Sequence, residues 1–514
     1  MSMRSNAAAV GFATLARNAL WNLAGRVVPL AVALVAIPLQ IKGFGTDRFG
    51  LLALFWVIAA YFGLFDMGIG RATTKFVAER LALKDFDAIP ALVWTSWLAM
   101  AALGMAAGAV LASTTPLLVS RVLSVPPHLQ GEAARSLYWL AAMLPLLLTQ
   151  PGLQGVLEAR QRFDLGNLVQ IPAAILGYVV PLLVLVYTKD LAVVMAALWA
   201  LRCLVWVTLF VCALRVMPAI VCRPTLSGEH LTHVLRFGGW LTVSNVVSPL
   251  MVYADRFLIG SLLTMSAVAY YATPYSLVTQ LWIIPGSLLP VLFPVFSGMA
   301  ATSSPAFGEA YRRTVRCVFF AMMPLTVGLM VLSRDLMTLW IGADFARQSA
   351  SVLSLLALGV LVNSLAQVPY AVLQASGRPD VTAKFHLLEL VPYFALLFWF
   401  TERYGIVGTA TAWVARVSVD AALLFVAAGR LTRVAAHRPT FLAAFVVATG
   451  VFYVAMEAAV AAMPGPLSRW VAAAVIVLLA AVVAWRYWLT PDEKAALYGL
   501  NARLAAAKSG AAND

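Results

Sequence analysis

Fourteen apolar stretches, each about as long as a bilayer is thick, follow one another along this 514-residue chain. They fall at about 18–41, 49–70, 90–112, 137–157, 168–187, 190–214, 237–262, 266–298, 315–333, 349–375, 383–401, 404–428, 440–461 and 467–489. A hydrocarbon core takes about 20 apolar residues per helical crossing. Inside it every backbone N–H and C=O must be satisfied within the protein, which leaves helices or closed barrels. Stretches of this length read as helices, so the expected fold is an all-α polytopic membrane bundle of about 14 spans. With 62% hydrophobic and 11% charged residues, the chain has no hydrophilic segment long enough for a catalytic domain. The longest loop on the expected outer side is about 113–136. The first stretch is full length, contains Arg26 and lacks a small-residue cleavage pattern behind a short apolar core, so it is expected to stay in the protein as a span.

Lysine and arginine set the expected orientation, because short basic loops are retained on the cytoplasmic side. With the amino terminus inside, 23 of the 36 basic residues fall in cytoplasmic segments and 9 in external loops. Both ends are then cytoplasmic. The formal net charge of +14 would point to nucleic acid in a soluble chain. Here it lies mainly beside the inner leaflet, where anionic lipids attract it, and it reads as topology with no nucleic-acid partner. Cys203, Cys212, Cys222 and Cys317 have no metal-ligand spacing, and they read as packing residues. No metal and no cofactor is expected.

A sparse internal match recurs at a constant offset of 220 residues. Pro29-Leu30 matches Pro249-Leu250, Leu153-Gln154 matches Leu373-Gln374, and Pro172 matches Pro392. The offset implies that spans 1 to 6 are duplicated as spans 7 to 12. Six spans bring each copy back to its starting side, so the copies share one orientation and their pseudo-twofold lies along the membrane normal, an architecture found in transporters with a site between halves. The expected organisation is an N-lobe at 1–214, a cytoplasmic inter-lobe linker at 215–236 and a C-lobe at 237–428. Accessory spans 13 and 14 follow at 429–490, and a cytoplasmic tail at 491–514.

The remaining four basic residues, Arg26, Arg202, Arg256 and Arg416, lie inside the apolar stretches. An intramembrane arginine costs roughly 2.5 to 3.5 kcal/mol even on the mildest scale, so it is expected to face a protein-lined cavity. Guanidinium is permanently charged and binds oxyanions bidentately, which suits phosphate. A ladder of four such groups from one leaflet to the other would compensate a travelling anion. The bland counterpart is an internal ion pair, as Arg416 could form with Asp420 one helical turn on. Asp255 and Arg256 are chain neighbours about 100° apart on a helix. On that geometry they should not satisfy each other, leaving one for the cavity and one for a partner across helices.

Asp66 closes span 2, with Arg71, Lys75 and Glu79 following, and reads as a cytoplasmic gate or ion-pair cluster. Glu389 and Glu457 lie near span ends, within expected reach of water. Span 8 contains Pro285, Gly286, Pro290 and Pro294. Proline removes a backbone donor and clashes with the preceding turn, so a bend is expected there, with Pro285, Gly286 and Pro290 as a possible hinge.

The segment from Phe49-Gly50-Leu51-Leu52-Ala53-Leu54 through Phe65-Asp66-Met67-Gly68-Ile69-Gly70-Arg71-Ala72 to Lys75-Phe76-Val77-Ala78-Glu79 resembles the span 2 signature of bacterial polysaccharide flippases. These belong to the multidrug/oligosaccharidyl-lipid/polysaccharide (MOP) flippase superfamily. The resemblance implies two six-helix lobes around a cationic cavity and export of an undecaprenyl-diphosphate-linked glycan from the cytoplasmic to the periplasmic leaflet of the bacterial inner membrane. The implied partners are that glycan, membrane lipids and a polymerase or other polysaccharide-assembly proteins. The layout is also similar to that of lipid II flippases, whose first and central helices carry arginines that Arg26 and Arg256 parallel by helix. Two alternatives stand beside this. One is a drug/cation antiporter of the same superfamily, whose first helix typically carries a coupling carboxylate, whereas residues 18–41 contain Arg26 and no acid. The other is a membrane glycosyltransferase or polymerase on the same lipid carrier, which would usually need a larger polar external loop.

Overall fold

The computed structural model describes residues 28–63, 69–83, 85–160, 162–221, 250–251, 253–302, 304–432 and 439–483. Arg26, Asp66, Cys222, most of the 215–236 segment and the 491–514 tail lie outside the described residues, as does the side chain of Arg71. Among the described residues there is no strand. The helices are α1 (Val28–Phe44), α2 (Thr46–Gly63), α3 (Ile69–Ala82), α4 (Ala88–Leu117), α5 (Gln130–Ala159), α6 (Phe163–Leu185) and α7 (Leu191–Val216), then α8 (residues 253–262) and α9 (Met265–Val278). After these come α10 (Ile283–Ala301), α11 (Phe307–Val331), α12 (Ser333–Trp340), α13 (Ala343–Ala375), α14 (Pro379–Thr432), α15 (Pro439–Ala461) and α16 (Pro466–Val483). The all-α membrane architecture holds. Among the described residues nine helices are long and apolar enough to cross a bilayer, or ten if the bent pair Met265–Leu289 and Leu292–Ala301 is one span.

Among the described residues α14, α3 and the eight-residue α12 depart from one helix per span, and the expected span 8 is divided between α9 and α10. The chain between the expected spans 11 and 12 runs as the single element α14, yet Gly405 has φ 61° inside it. Thr401 and Thr409 Oγ1 atoms hydrogen-bond at 2.8 Å, whereas eight residues of straight helix would separate them by about 12 Å. The chain therefore reverses at Gly405, where only a residue without a Cβ adopts that backbone conformation cheaply, and α14 is two helical arms. The second departure is α3, a short helix after span 2. Its Lys75 pairs with Glu79 at 3.8 Å and about half exposed, a solvated i,i+4 contact.

The proline-rich stretch bends as its composition demands. The helix turns by 48° between Leu289 and Leu292, and a 3-10 turn at Thr279–Trp282 precedes Pro285 and Gly286.

The chain divides into two compact units. Unit 1 comprises Met1–Leu277, Trp340–Val352 and His386–Trp413; unit 2 comprises Val278–Leu339, Leu353–Phe385 and Val414–Asp514. In unit 1, α5 packs on α2, α3, α4, α6 and α7. Its core joins Trp97 and Met100 of α4, Leu153 and Val156 of α5, and Val205 and Leu209 of α7. In unit 2, α11 packs on α15 and α16, and Arg469 of α16 reaches Asp335 of α12 at 3.5 Å. Apolar side chains such as Val446, Val451 and Leu478 stand exposed on α15 and α16, as lipid-facing positions do.

Candidate functional site

Unit 1 holds two intramembrane arginines in contrasting settings. The first is Arg202 on α7. Along one face of that helix, at spacings of three and four residues, Trp199, Arg202 and Trp206 all reach across to α5. Trp199 Nε1 donates to the Ala142 carbonyl at 3.3 Å, Arg202 Nη1 to Gln150 Oε1 at 3.5 Å, and Trp206 Nε1 to Thr149 Oγ1 at 2.8 Å. Arg202 has no carboxylate partner among the described residues. It borders a cavity of about 70 Å³ among α2, α5, α6 and α7, otherwise walled by apolar groups such as Phe55, Trp56, Met143 and Met195.

The second is Arg256 on α8. Its Nη1 donates to Asp255 Oδ1 at 3.1 Å, and its backbone N–H donates to the same oxygen at 2.7 Å. Tyr271 OH donates to Asp255 Oδ2 at 2.8 Å. The Arg256 guanidinium lies 3.9 Å from the centroid of the Tyr275 ring and 5.9 Å from that of Tyr271, close enough for cation–π attraction. Tyr271 and Tyr275 are one turn apart on α9, and Tyr275 meets Trp413 of α14 edge-on. Asp255 is 0% and Arg256 4% exposed. The expectation that these neighbours would not satisfy each other is overturned. Their Cα–Cβ bonds do diverge, but the long arginine chain folds back over the intervening angle, and burial makes the nearest carboxylate the best partner.

Arg256 is not among the groups lining the larger cavity beside α8. That cavity, about 290 Å³, is walled by Val57, Tyr61 and Phe62 of α2, Leu111 and Thr114 of α4, and Tyr253, Ala254 and Phe257 of α8. The wall is apolar, and Arg256 points from α8 to a different side.

Arg416 lies on the second arm of α14, where Asp420, one turn on, is buried at 5% exposure. Glu389 is buried too, so it lies in packing and not at the water-accessible span end expected of it, whereas Glu457 is exposed. Cys203, Cys212 and Cys317 are free thiols, and among the described residues no group of His, Cys, Asp and Glu could hold a metal ion.

Sequence reasoning missed a polar contact at the end of unit 1 where α2, α5, α7 and α9 begin. Ser266 Oγ donates to Asp47 Oδ1 at 2.5 Å and lies 2.8 Å from Thr46 Oγ1. A hydroxyl has one proton, so Thr46 is the donor to Ser266. Gly50 presses on the start of α9 so closely that a Cβ there would lie 1.8 Å from the Met265 carbonyl oxygen. Nearby, Ser124 donates its backbone N–H to Gly260 O at 2.8 Å and its hydroxyl to Ser261 O at 3.0 Å. Thr46 and Ser266 are 220 positions apart, the offset of the internal match; searching that register for paired hydroxyls would have found them. At the same end Glu132 of α5 accepts Arg48 through both oxygens at 3.0 Å and the Leu191 N–H at 2.8 Å, gathering the starts of α2, α5 and α7.

The model of a family described as polysaccharide biosynthesis protein matches residues 45–350, more than half of the chain. The chain belongs to that family. As a member of the polysaccharide biosynthesis protein family, it is 27% identical over 416 residues to a Shigella flexneri protein assigned as an O-antigen transporter, covering 80% of this chain and 97% of that one. Among solved structures it is similar to an inward-facing multidrug resistance MATE transporter of the MOP superfamily, with TM-score 0.69, 14% identity, 79% of this chain and 98% of the other. It is similar as well to the lipid II flippase MurJ in an inward closed conformation, with TM-score 0.68, 12% identity, 91% and 98% coverage. At these identities the structures establish the fold, that of MOP transporters, for this family member. The proteins it resembles carry the names of transporters and flippases.

Proposed function

We propose that this protein is a flippase that carries an undecaprenyl-diphosphate-linked oligosaccharide of the O-antigen type from the cytoplasmic to the periplasmic leaflet of the bacterial inner membrane, with both termini cytoplasmic. The observation that carries this reading is family membership combined with an intramembrane guanidinium, Arg202, that no described carboxylate neutralises. A cation kept in an apolar wall is costly, and in a polysaccharide-assembly protein the anion that repays it is the diphosphate of the lipid carrier. Arg26, Arg256 and Arg416 are the further members of the proposed cationic path, the polyprenyl tail remains in lipid, and no bond is made or broken.

Alternating access of an N-lobe at 1–214 and a C-lobe at 237–428 is the proposed motion, with the bend at Pro285, Gly286 and Pro290 as a hinge and Asp66, Arg71 and Lys75 at the cytoplasmic mouth. The contact of Thr46, Asp47 and Gly50 with Met265 and Ser266 supports it, because Thr46 and Ser266 are equivalent points of the two proposed repeats. Hydroxyl hydrogen bonds each contribute only about 1 kcal/mol net, so such a contact separates at modest cost. Carrying about two negative charges outward, down an inside-negative potential of about 100 mV, gains roughly 4 to 5 kcal/mol, at about 2.3 kcal/mol per charge. Coupling to an ion gradient is therefore not required.

The test is reconstitution in vesicles with lipid-linked oligosaccharide on one leaflet and a leaflet-accessibility readout, using the wild type and Arg26 and Arg256 each replaced by alanine and by lysine. Transport of the glycan lipid, lost in the alanine variants, is expected. Uptake of cationic drugs against a proton or sodium gradient with no glycan-lipid movement would establish the antiporter instead, and new glycosidic bonds would establish an enzyme.

A further inference from the structure

Asp255 and Arg256 pair between neighbours on a single helix, and such a pair staples nothing. Both partners travel with α8, so parting them separates no two helices. The pair is nonetheless deeply buried, with its carboxylate wholly enclosed. Its physical effect is local: it neutralises a guanidinium where an uncompensated charge is expensive. Any other anion of suitable shape would do the same.

The surroundings prepare both groups for that exchange. Asp255 keeps the Tyr271 hydroxyl on Oδ2 and the Arg256 backbone N–H on Oδ1 whether or not the guanidinium stays. The guanidinium keeps the face of Tyr275. On separation the carboxylate keeps two hydrogen bonds and the guanidinium a ring face, although the carboxylate loses its counter-charge.

Resting on the reading of Arg256 as a substrate cation, we infer that Asp255 is a built-in competitor for the lipid diphosphate, holding Arg256 in the empty protein and yielding it to phosphate oxygens on loading. Carboxylate and phosphate present the same kind of oxygen fork to guanidinium. A diphosphate has more oxygens and more charge, so it prevails when present, and the carboxylate returns when it leaves. Tyr271 sets the balance by engaging Oδ2 and leaving Oδ1 to the arginine. Asp255 and Tyr271 are thus positioning residues, and the pair keeps the cation from trapping its cargo or capturing stray anions.

The experiment is calorimetric titration of the purified full-length protein with geranyl diphosphate, a soluble prenyl diphosphate. D255N, which weakens the competitor, is expected to bind the probe about tenfold more tightly, within the usual range of site coupling. Y271F frees Oδ2 to join the contact with Arg256 and is expected to weaken binding by roughly two- to fivefold. It keeps every charge, so its sign decides the matter should D255N not fold. Weaker or unchanged binding by D255N, or unchanged or tighter binding by Y271F, overturns the inference. R256A separates the two failures: if it abolishes binding while D255N changes nothing, the competitor is wrong and the cation reading stands. If R256A binds the probe like the wild type, the cation reading itself is wrong.

Discussion

Arg202 and Arg256 are the same residue type, both in apolar helices of one compact unit, and they are kept in opposite ways. Arg256 has a carboxylate beside it in the chain, a tyrosine face beneath it and almost no exposure. Arg202 has one amide oxygen at 3.5 Å, two flanking tryptophans bonded to the neighbouring helix, and a small cavity in front. The difference is between a charge balanced internally and a charge left to be balanced from outside. A buried ion pair contributes little net stability but is costly to break from one side. An unpaired cation has already incurred its cost in the native state, so removing it harms the fold little and the function much.

Stability gives the largest expected effect. Arg256→Ala leaves Asp255 buried with its charge uncompensated, and a loss of about 3 to 5 kcal/mol is expected, read as a lower thermal midpoint in detergent. Arg202→Ala is expected to cost about 1 kcal/mol or less, since it deletes one long hydrogen bond. Equal losses at the two sites would break the comparison. For transport, the proposed function puts Arg202→Ala at least about tenfold below wild type, equivalent to roughly 1.4 kcal/mol, at near-normal stability. Wild-type flipping by that variant would make Arg202 a packing residue.

The exposed pair of Arg378 and Asp380 supplies the zero point. Arg378 donates to the Asp380 carboxylate at 3.0 and 3.3 Å. That hydrogen bond, with help from Lys384, holds the carboxyl down at about 2. A depressed carboxylate pKa favours the folded state above the unfolded value near 4, and the benefit disappears as pH falls from about 4 to about 2. The pair is open to solvent, where such contacts contribute little. Asp380→Asn is therefore expected to leave the midpoint at pH 7 unchanged, and a clear drop would show that this corner carries structural load.

Much of the bundle was legible in the sequence because length and hydropathy dictate a membrane helix almost without reference to its neighbours. The reversal at Gly405 was foreshadowed by the gap between the apolar stretches ending at 401 and resuming at 404, and the bend in span 8 by its prolines. The partners of the membrane charges were not legible. From helix angles Asp255 and Arg256 seemed unable to meet, because a wheel diagram places Cβ atoms and says nothing of where a long flexible side chain finds its lowest energy. Thr46, Asp47 and Ser266 carried no charge pattern or motif, and only the 220-residue offset marked two of them.

What the chain determined alone is its solvent and class: an all-α membrane protein with arginines that must justify their place in lipid. Tertiary structure decided which of those arginines is already answered. Desolvation raises the worth of any contact that is made, and which contacts are made depends on packing: α9, the next helix in the chain, brings Tyr271 and Tyr275 to Arg256, whereas α5, 52 positions back, brings an amide to Arg202 and, among the described residues, no carboxylate.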